Sequence, residues 1–331
     1  MTRPSPGVLL VPLKPGPKKK RDRWLVWLFK LNAEMKAYAI KALKQIEASA
    51  KKGIWEAHWG CAVIAGALLV EEKLIDEDAR ASVTALLDAL MASHASFREE
   101  EDGNQNLLPR KLFAGKLLAE LAPRAKEPVA IGHDIIYSAC VLKALERFEI
   151  PPWQSLLASV TTLVRKVKAA GPGWITINEE RKYKTLDAAE EKTGADYWTI
   201  FSNFERPLPM EAGDMQLGHL LTHGHAIGMI QRHADPQLIA DFDIAYRKRL
   251  HALRLANEEQ QEKSPLPRRK PDPRTKEYWT LVKSLGDMHG HAFKYAYSFL
   301  DMKRAHHISP ADLEAYGRIV WPAGRVAIAT F

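Results

Sequence analysis

Apolar residues recur at three- and four-residue spacing through most of this chain, whereas strict two-residue alternation is nearly absent. The first spacing gathers apolar side chains on one face of an α-helix, and the second would be typical of a β-strand. The one strand-like stretch, WITI at 174–177, is too short to form a sheet. The pattern predicts an all-α fold, a single compact multi-helix domain, with helices near 24–48, 54–73, 77–95, 107–122, 130–148, 152–169, 181–193, 212–232, 236–259, 275–284, 287–303 and 310–319.

Two segments interrupt the helical spacing. Residues 195–211, ADYWTIFSNFERPLPME, are rich in aromatic residues and nonperiodic, which predicts an ordered loop that packs on a surface or covers a pocket. Residues 258–274, EEQQEKSPLPRRKPDPR, are polar and proline-rich, which predicts an exposed insertion. The predicted organisation is a basic tail over 1–23 and a helical catalytic domain over 24–331 that carries this insertion.

The net charge of +8 is concentrated in two segments. Residues 1–23 contain seven basic residues and one acidic residue, and residues 263–276 contain six and one, so the remainder of the chain carries −3. Both segments lack the interleaved aromatic residues of a platform that binds single-stranded nucleic acid. They are predicted to be solvated arms, and a nucleic-acid partner is not expected.

No segment is predicted to cross a membrane. The apolar run near the N-terminus is too short and too proline-rich for a signal peptide, and no later run has the length of a transmembrane helix. The two cysteines, Cys61 and Cys140, lie in apolar helical runs and offer no disulfide framework. A soluble cytoplasmic protein with two small buried thiols is the expectation.

Four of the twelve histidines lie inside apolar helical stretches. These are His58 in WEAHWGCAVIAGALL, His133 in IGHDIIYSACVLKALE, His219 in LGHLLTHGHAIGMI and His291 in HGHAFKYAYSFL. Imidazoles that face inward from four helices are what a metal site in a helical core requires, because one divalent cation can engage all of them. Each is alternatively a core histidine whose two nitrogens are hydrogen-bonded.

Lys294 follows His291 by three residues and therefore lies on the same helical face. A buried lysine is biased towards the neutral amine, and a neutral amine can add carbon dioxide to become a carbamate, which is an anionic oxygen ligand. Four neutral nitrogens and this oxygen would leave one open position on the ion. Alternatively, Lys294 extends its ammonium to the surface or pairs with Asp287.

The common catalytic fingerprints are absent from the sequence. GxGxxG after a strand, GxxxxGK[ST], GxSxG and HExxH do not occur. These absences remove the usual signals for flavin or nicotinamide binding, for a phosphate loop, for a serine hydrolase and for a common zinc protease. Histidine and lysine chemistry remains.

The four histidine stretches resemble, in order, those of the questin oxidase-like family. Ala57-His58-Trp59-Gly60-Cys61 resembles the family's Asn-His stretch, and His133-Asp134-Ile135-Ile136-Tyr137 is similar to its His-x-Leu-Ile motif. His219-Leu220-Leu221-Thr222 is similar to its His-Ala-Val-Thr motif, and His291-Ala292-Phe293-Lys294 to its His-x-x-Lys motif. The resemblance covers residues 50–305.

This resemblance implies a mononuclear non-haem iron oxygenase. The implied cofactors are Fe(II) and a carboxylated lysine, with dioxygen as co-substrate for oxidative cleavage or hydroxylation of an aromatic small molecule in secondary metabolism. Two further histidines near the third motif, His223 and His225, are alternates for His219. The implied ligands are His58, His133, His219, His291 and Lys294.

Four aromatic residues near the motifs are candidates to wall a substrate pocket, since aromatic faces suit planar substrates. They are Trp59, Tyr137, Tyr295 and Tyr297, and core packing is the alternative for each. Two rival functions stay open: a zinc-dependent hydrolase at the same site, and a helical binding protein with basic arms.

Overall fold

The computed structural model describes residues 18–97, 106–127, 129–169, 197–202, 213–258, 272–284 and 289–320. Within them the only β pairing is an isolated antiparallel bridge between Leu107 and Trp153. The prediction of an all-α, single-domain fold is confirmed. In chain order the helices of the described residues are α1 Lys18–Lys52, α2 Ala57–Glu71, α3 Glu77–Ser93, α4 Arg110–Leu121, α5 His133–Arg147, α6 Gln154–Ala169, α7 Tyr197–Ser202, α8 Gly213–Ile230, α9 Pro236–Glu258, α10 Lys276–Lys283, α11 His289–Met302 and α12 Pro310–Val320.

Two boundaries differ from the prediction. Helix α1 begins at Lys18, inside the segment predicted as a tail, because the run KKKRDR consists of good helix formers that continue into the apolar-periodic stretch. Residues Tyr197–Ser202, predicted as loop, form helix α7. The predicted helix over 181–193, the stretch 174–177 and most of the proline-rich insertion lie outside the described residues.

Four helices, α2, α5, α8 and α11, form the core of the molecule and are called here the four core helices. Each contacts two others in a closed ring, in the order α2, α11, α8, α5 and back to α2. Helices α1 and α3 pack on α2, while α9 and α12 pack on α8. The ring is thus covered by other helices, and its interior is removed from water.

The four core helices run in the same direction. At one end the first turns of α2 and α5 bring His58 and His133 together. At the other end Glu72, just beyond α2, pairs with Lys143 near the end of α5 at 3.0 Å and with Arg304 just beyond α11. Arg232, just beyond α8, pairs with Glu146 of α5 at 2.8 Å. One end of the bundle therefore gathers N-termini and the other C-termini.

Helix α2 is apolar on every side, as a helix enclosed by others requires. Helix α2 packs closely on α1 at Gly60, where an added Cβ would lie 2.5 Å from the Gln45 and Ile46 side chains. Among the described residues, one segment, Ile54–Glu71, has the length and hydropathy of a membrane span, and 72% of it is buried inside the fold. Burial in a helical core accounts for that composition.

Candidate metal centre

Four histidines converge where the N-terminal halves of the four core helices meet. The ring centroids of His58 and His133 are 4.5 Å apart, those of His133 and His219 4.7 Å, and those of His219 and His291 5.1 Å. The circle closes between His291 and His58 at 5.3 Å. The sequence predicted this set, and the structure brings all four side chains together in one layer, called here the histidine layer.

The nitrogens of this layer have spacings that suit a single ion. One ring nitrogen each from His58, His219 and His291 lie within 4.8 Å of one another. Nε2 of His133 lies 2.8 Å from Nε2 of His58. Two imidazole nitrogens bound to one ion at about 2.1 Å and at right angles lie about 3 Å apart. The nitrogen positions are therefore compatible with shared coordination.

Hydrogen bonds fix which nitrogen of each ring carries the proton. Nδ1 of His133 contacts the carbonyl oxygen of Ala130, which can only accept. The Tyr137 hydroxyl donates to the carbonyl of Ile54 at 2.9 Å and lies 2.7 Å from Nδ1 of His58, so it accepts from that nitrogen. With the Tyr137 proton on the Ile54 carbonyl, Nδ1 carries the proton on both rings, and both Nε2 atoms present a lone pair.

Two lone pairs that face each other at 2.8 Å repel unless a cation lies between or beside them. A proton is disfavoured there, because burial lowers the pKa of His58 and of His133 well below 6.5 and the nearby charge of Lys294 lowers both further. Burial likewise lowers the pKa of His219 and His291. The donor set consists of neutral imidazoles, which is the form that binds metals.

A strained turn places His133. Ala130 and Ile131 have φ of 37° and 53°, and Gly132 has 86°, all in the left-handed region. Such a conformation costs on the order of 1–3 kcal/mol at a residue other than glycine. The turn is held by Arg249, which donates to the carbonyl of Ile131. It points the Ala130 carbonyl at the His133 ring and starts helix α5 at the histidine itself.

Lys294 lies one helical turn beyond His291 and is 6% exposed. Burial lowers its pKa to about 7, and the Cys61 and Cys140 thiols oppose that shift only in part. Among the described residues no carboxylate forms an ion pair with it. The predicted alternative partner, Asp287, lies outside the described residues. A substantial share of the amine is neutral near pH 7, as carbamate formation requires.

The two alternates for the third ligand point elsewhere. His223 packs against Gly132 and the ring of Tyr246, and burial together with Arg249 lowers its pKa to about 3. Nε2 of His225 lies 2.8 Å from a carboxylate oxygen of Asp301. Of the three histidines, His219 is the one in the layer.

The four predicted pocket aromatics divide into two groups. Tyr137 and Tyr295 contact histidine rings of the layer through their hydroxyls, the latter 3.3 Å from Nδ1 of His219, so they orient these rings. Trp59 stacks on His94 at 3.9 Å. Tyr297 lines a small cavity beside Lys294, and its hydroxyl lies 3.4 Å from Glu72. That these four residues line a substrate pocket stays a prediction.

One aromatic residue next to the layer was missed in the sequence. The indole ring of Trp55 lies 5.1 Å from the His133 ring and 5.7 Å from the His58 ring. It stands three residues before His58, a spacing that could have placed it on the same face. Trp55, Trp59 and His291 are all partly exposed, so the layer approaches solvent on this side.

Comparison with known proteins gives no neighbour: no family model, no curated protein and no solved structure matches this chain. The resemblance of the four motifs to the questin oxidase-like family is therefore carried by those residues alone. The functional proposal therefore rests on these motifs and on the geometry of the site.

Proposed function

We propose that this protein is a mononuclear non-haem iron oxygenase of the questin oxidase-like type, with His58, His133, His219, His291 and carboxylated Lys294 as ligands. The observation that carries the proposal is the convergence of four imidazoles, three of them buried, in one layer, with Nε2 of His58 and Nε2 of His133 only 2.8 Å apart. A divalent cation relieves the repulsion between these two nitrogens and binds the remaining ring nitrogens. When bound, iron supplies the chemistry that activates dioxygen.

Lys294 supplies the anionic oxygen. Its neutral amine attacks the carbon of carbon dioxide, the N–C bond forms while one C=O bond becomes C–O⁻, and the nitrogen loses a proton. The described part of the site contributes no carboxylate side chain to the layer, so this carbamate is the one oxygen anion that the proposed ligand set contains. Its charge offsets part of the charge of the ion in a buried site.

The direction of the core helices favours neutral imidazoles at the site. His133 is the first residue of α5, His58 the second of α2 and His291 the third of α11. Helix N-termini carry a partial positive charge, which disfavours protonated imidazole and also opposes a bound cation. The negative charge of the carbamate on Lys294 offsets part of that opposition.

The substrate is an aromatic small molecule that approaches on the partly exposed side of the layer. The rings of Trp55 and Trp59 flank His58 there, and aromatic faces bind planar molecules well. Oxidative cleavage or hydroxylation of a polyketide- or quinone-like ring, carried out in the cytoplasm, is the reaction that we assign to the site. No proton transfer to or from the substrate is assigned to a side chain.

Elemental analysis of protein purified without added metal tests the proposal. We expect about one iron per chain, and a loss of at least tenfold in iron content in His58→Ala and His133→Ala. His307→Ala, an exposed histidine outside the layer, is the matched control and should retain iron. Stoichiometric zinc that the same substitutions remove would replace the oxygenase with the zinc-dependent hydrolase. Histidine variants that retain their metal would overturn the site itself.

A further inference from the structure

Beyond the histidine layer, the interior of the four core helices contains a small cavity of about 30 Å³, called here the inner cavity. Its lining includes one residue from each core helix, and each of these stands three positions after a histidine of the layer. The four residues are Cys61, Ile136, Thr222 and Lys294. At about 1.5 Å of rise per residue, the inner cavity begins some 4.5 Å along the bundle from the layer.

A second cavity, of about 470 Å³ and called here the outer cavity, lies further along the same axis. Lys143, Met229 and Asp301, three of its lining residues, each stand ten positions after a histidine of the layer. Ten residues of helix span about 15 Å. The outer cavity is therefore at the C-terminal end of the bundle, and partly exposed Met229 and Met302 border it.

The two cavities share two residues, His225 and Met229. These side chains form the partition between a large compartment near the surface and a small one at the Lys294 side chain. The inner cavity has a mainly apolar lining and room for about one small molecule, and apolar cavities of this kind hold apolar ligands in preference to water.

We propose that the outer and inner cavities form the route by which carbon dioxide reaches the amine of Lys294, with His225 and Met229 as its constriction. The proposal rests on the proposed function, because it concerns how that ligand is made. Carbon dioxide is small, uncharged and apolar, which suits the inner cavity. The route meets Lys294 from the side opposite the partly exposed aromatic rings, so it is separate from the approach of the substrate.

The proton that the amine releases leaves by the same route. His225 lines both cavities, and its Nε2 lies 2.8 Å from the Asp301 carboxylate. Asp301 lines the outer cavity, from which solvent takes up the proton.

Gly228 offers a way to obstruct the route. It lines the outer cavity, and a Cβ added there meets no atom within 4 Å, so Gly228→Trp places an indole in the cavity without a backbone clash. Gly115 on α4 is the matched control, since it is also an exposed helical glycine with no atom within 4 Å of an added Cβ. Met229→Ala widens the constriction.

The experiment follows the ¹³C NMR signal of the Lys294 carbamate after ¹³C-bicarbonate is added to metal-free protein freed of carbon dioxide. We expect Gly228→Trp to slow carbamate formation at least fivefold and Met229→Ala to accelerate it, each with an unchanged final level. Gly115→Trp should match the wild type. Lys294→Met identifies the signal by its loss.

The outcomes separate the two proposals. No carbamate in the wild type at any carbon dioxide pressure overturns the assigned fifth ligand and the route with it. A carbamate that forms at the wild-type rate in Gly228→Trp and Met229→Ala overturns the route and leaves the proposed function intact. The same is true if Gly115→Trp slows the reaction as much as Gly228→Trp does. If Gly228→Trp does not fold, the rate in Met229→Ala decides.

Discussion

The two ends of the four core helices differ in how their polar and charged side chains are balanced. At the C-terminal end, Glu72 is 2% exposed and is balanced by Lys143 and Arg304, and Arg232 pairs with Glu146. At the N-terminal end, neutral imidazoles crowd together with a buried amine. The first end contains its own counter-charges, whereas the second has none among the described residues and is, in our proposal, completed by a metal ion and a carbamate. Changes at the two ends should therefore separate stability from metal binding.

Removal of the metal has the largest expected effect. At a metal concentration about a thousand times Kd, binding contributes about 4 kcal/mol to folding, so chelation should lower Tm by roughly 6 °C in a chain of 331 residues. Differential scanning calorimetry before and after chelation measures the shift. The apo form of His133→Ala should show no such shift when metal is restored, and a full response in that variant would contradict the assigned ligands.

Glu72→Gln should produce the next largest effect, and only on stability. The substitution removes the shared partner of Lys143 and Arg304, and since Arg304 is 45% exposed we expect a loss of about 2 kcal/mol in unfolding free energy, less than for a fully buried pair. Urea denaturation measures it. Iron content should remain at the wild-type level, and a parallel loss of iron would show that the two ends are not independent.

Tyr137→Phe should weaken metal affinity and, because it also removes the hydrogen bond to the Ile54 carbonyl, cost about 1 kcal/mol in unfolding free energy. It removes the hydroxyl that accepts from Nδ1 of His58 and so loosens the tautomer and orientation of that ligand. Loss of such a partner typically weakens metal binding about 10- to 100-fold. Competition with a chelator measures the affinity. Tyr278→Phe, which removes a hydroxyl pair with Tyr316 far from the layer, is the control and should bind as the wild type does.

The smallest expected effect, measured per pH unit, is a pH dependence of the metal-free protein in buffer free of carbon dioxide. The pKa of Lys294 is about 7 in the folded state and about 10.5 in the unfolded chain, so the unfolded state binds more protons between these values. The free energy of unfolding should rise with pH from about 7 to about 10.5, by at most about 1.4 kcal/mol per pH unit. Urea denaturation at several pH values gives the unfolding free energy of wild type and of Lys294→Met. Plotted against pH, the two should differ in slope by this amount, and identical slopes would refute the prediction.

The histidine layer could be predicted from sequence because four histidines stood in apolar runs, which place a polar residue inside a helical core. The choice among His219, His223 and His225 could not be made, since all three are buried in α8 and only the positions of α5, α9 and α11 distinguish them. The left-handed turn at Ala130 could not be predicted from the sequence either, because neither Ala130 nor Ile131 favours positive φ.

Helix α1 begins six residues before the helix predicted near 24–48. A run of lysine and arginine was interpreted as a solvated tail, although these residues favour helix nearly as much as leucine does, and α1 begins at Lys18. Helix α7 was missed because six residues are too few to show a helical period. The two cavities depend on how four distant segments align, which no local pattern encodes.

Helices that all run one way cannot be joined by short turns, so each core helix is followed by a long return path before the next begins. His58 and His291 are consequently 233 positions apart in the chain. Closing such long loops is entropically costly and slow. At the proposed site, an ion can bind with all its ligands only after most of the polypeptide has folded, so metal binding would report a correctly assembled chain.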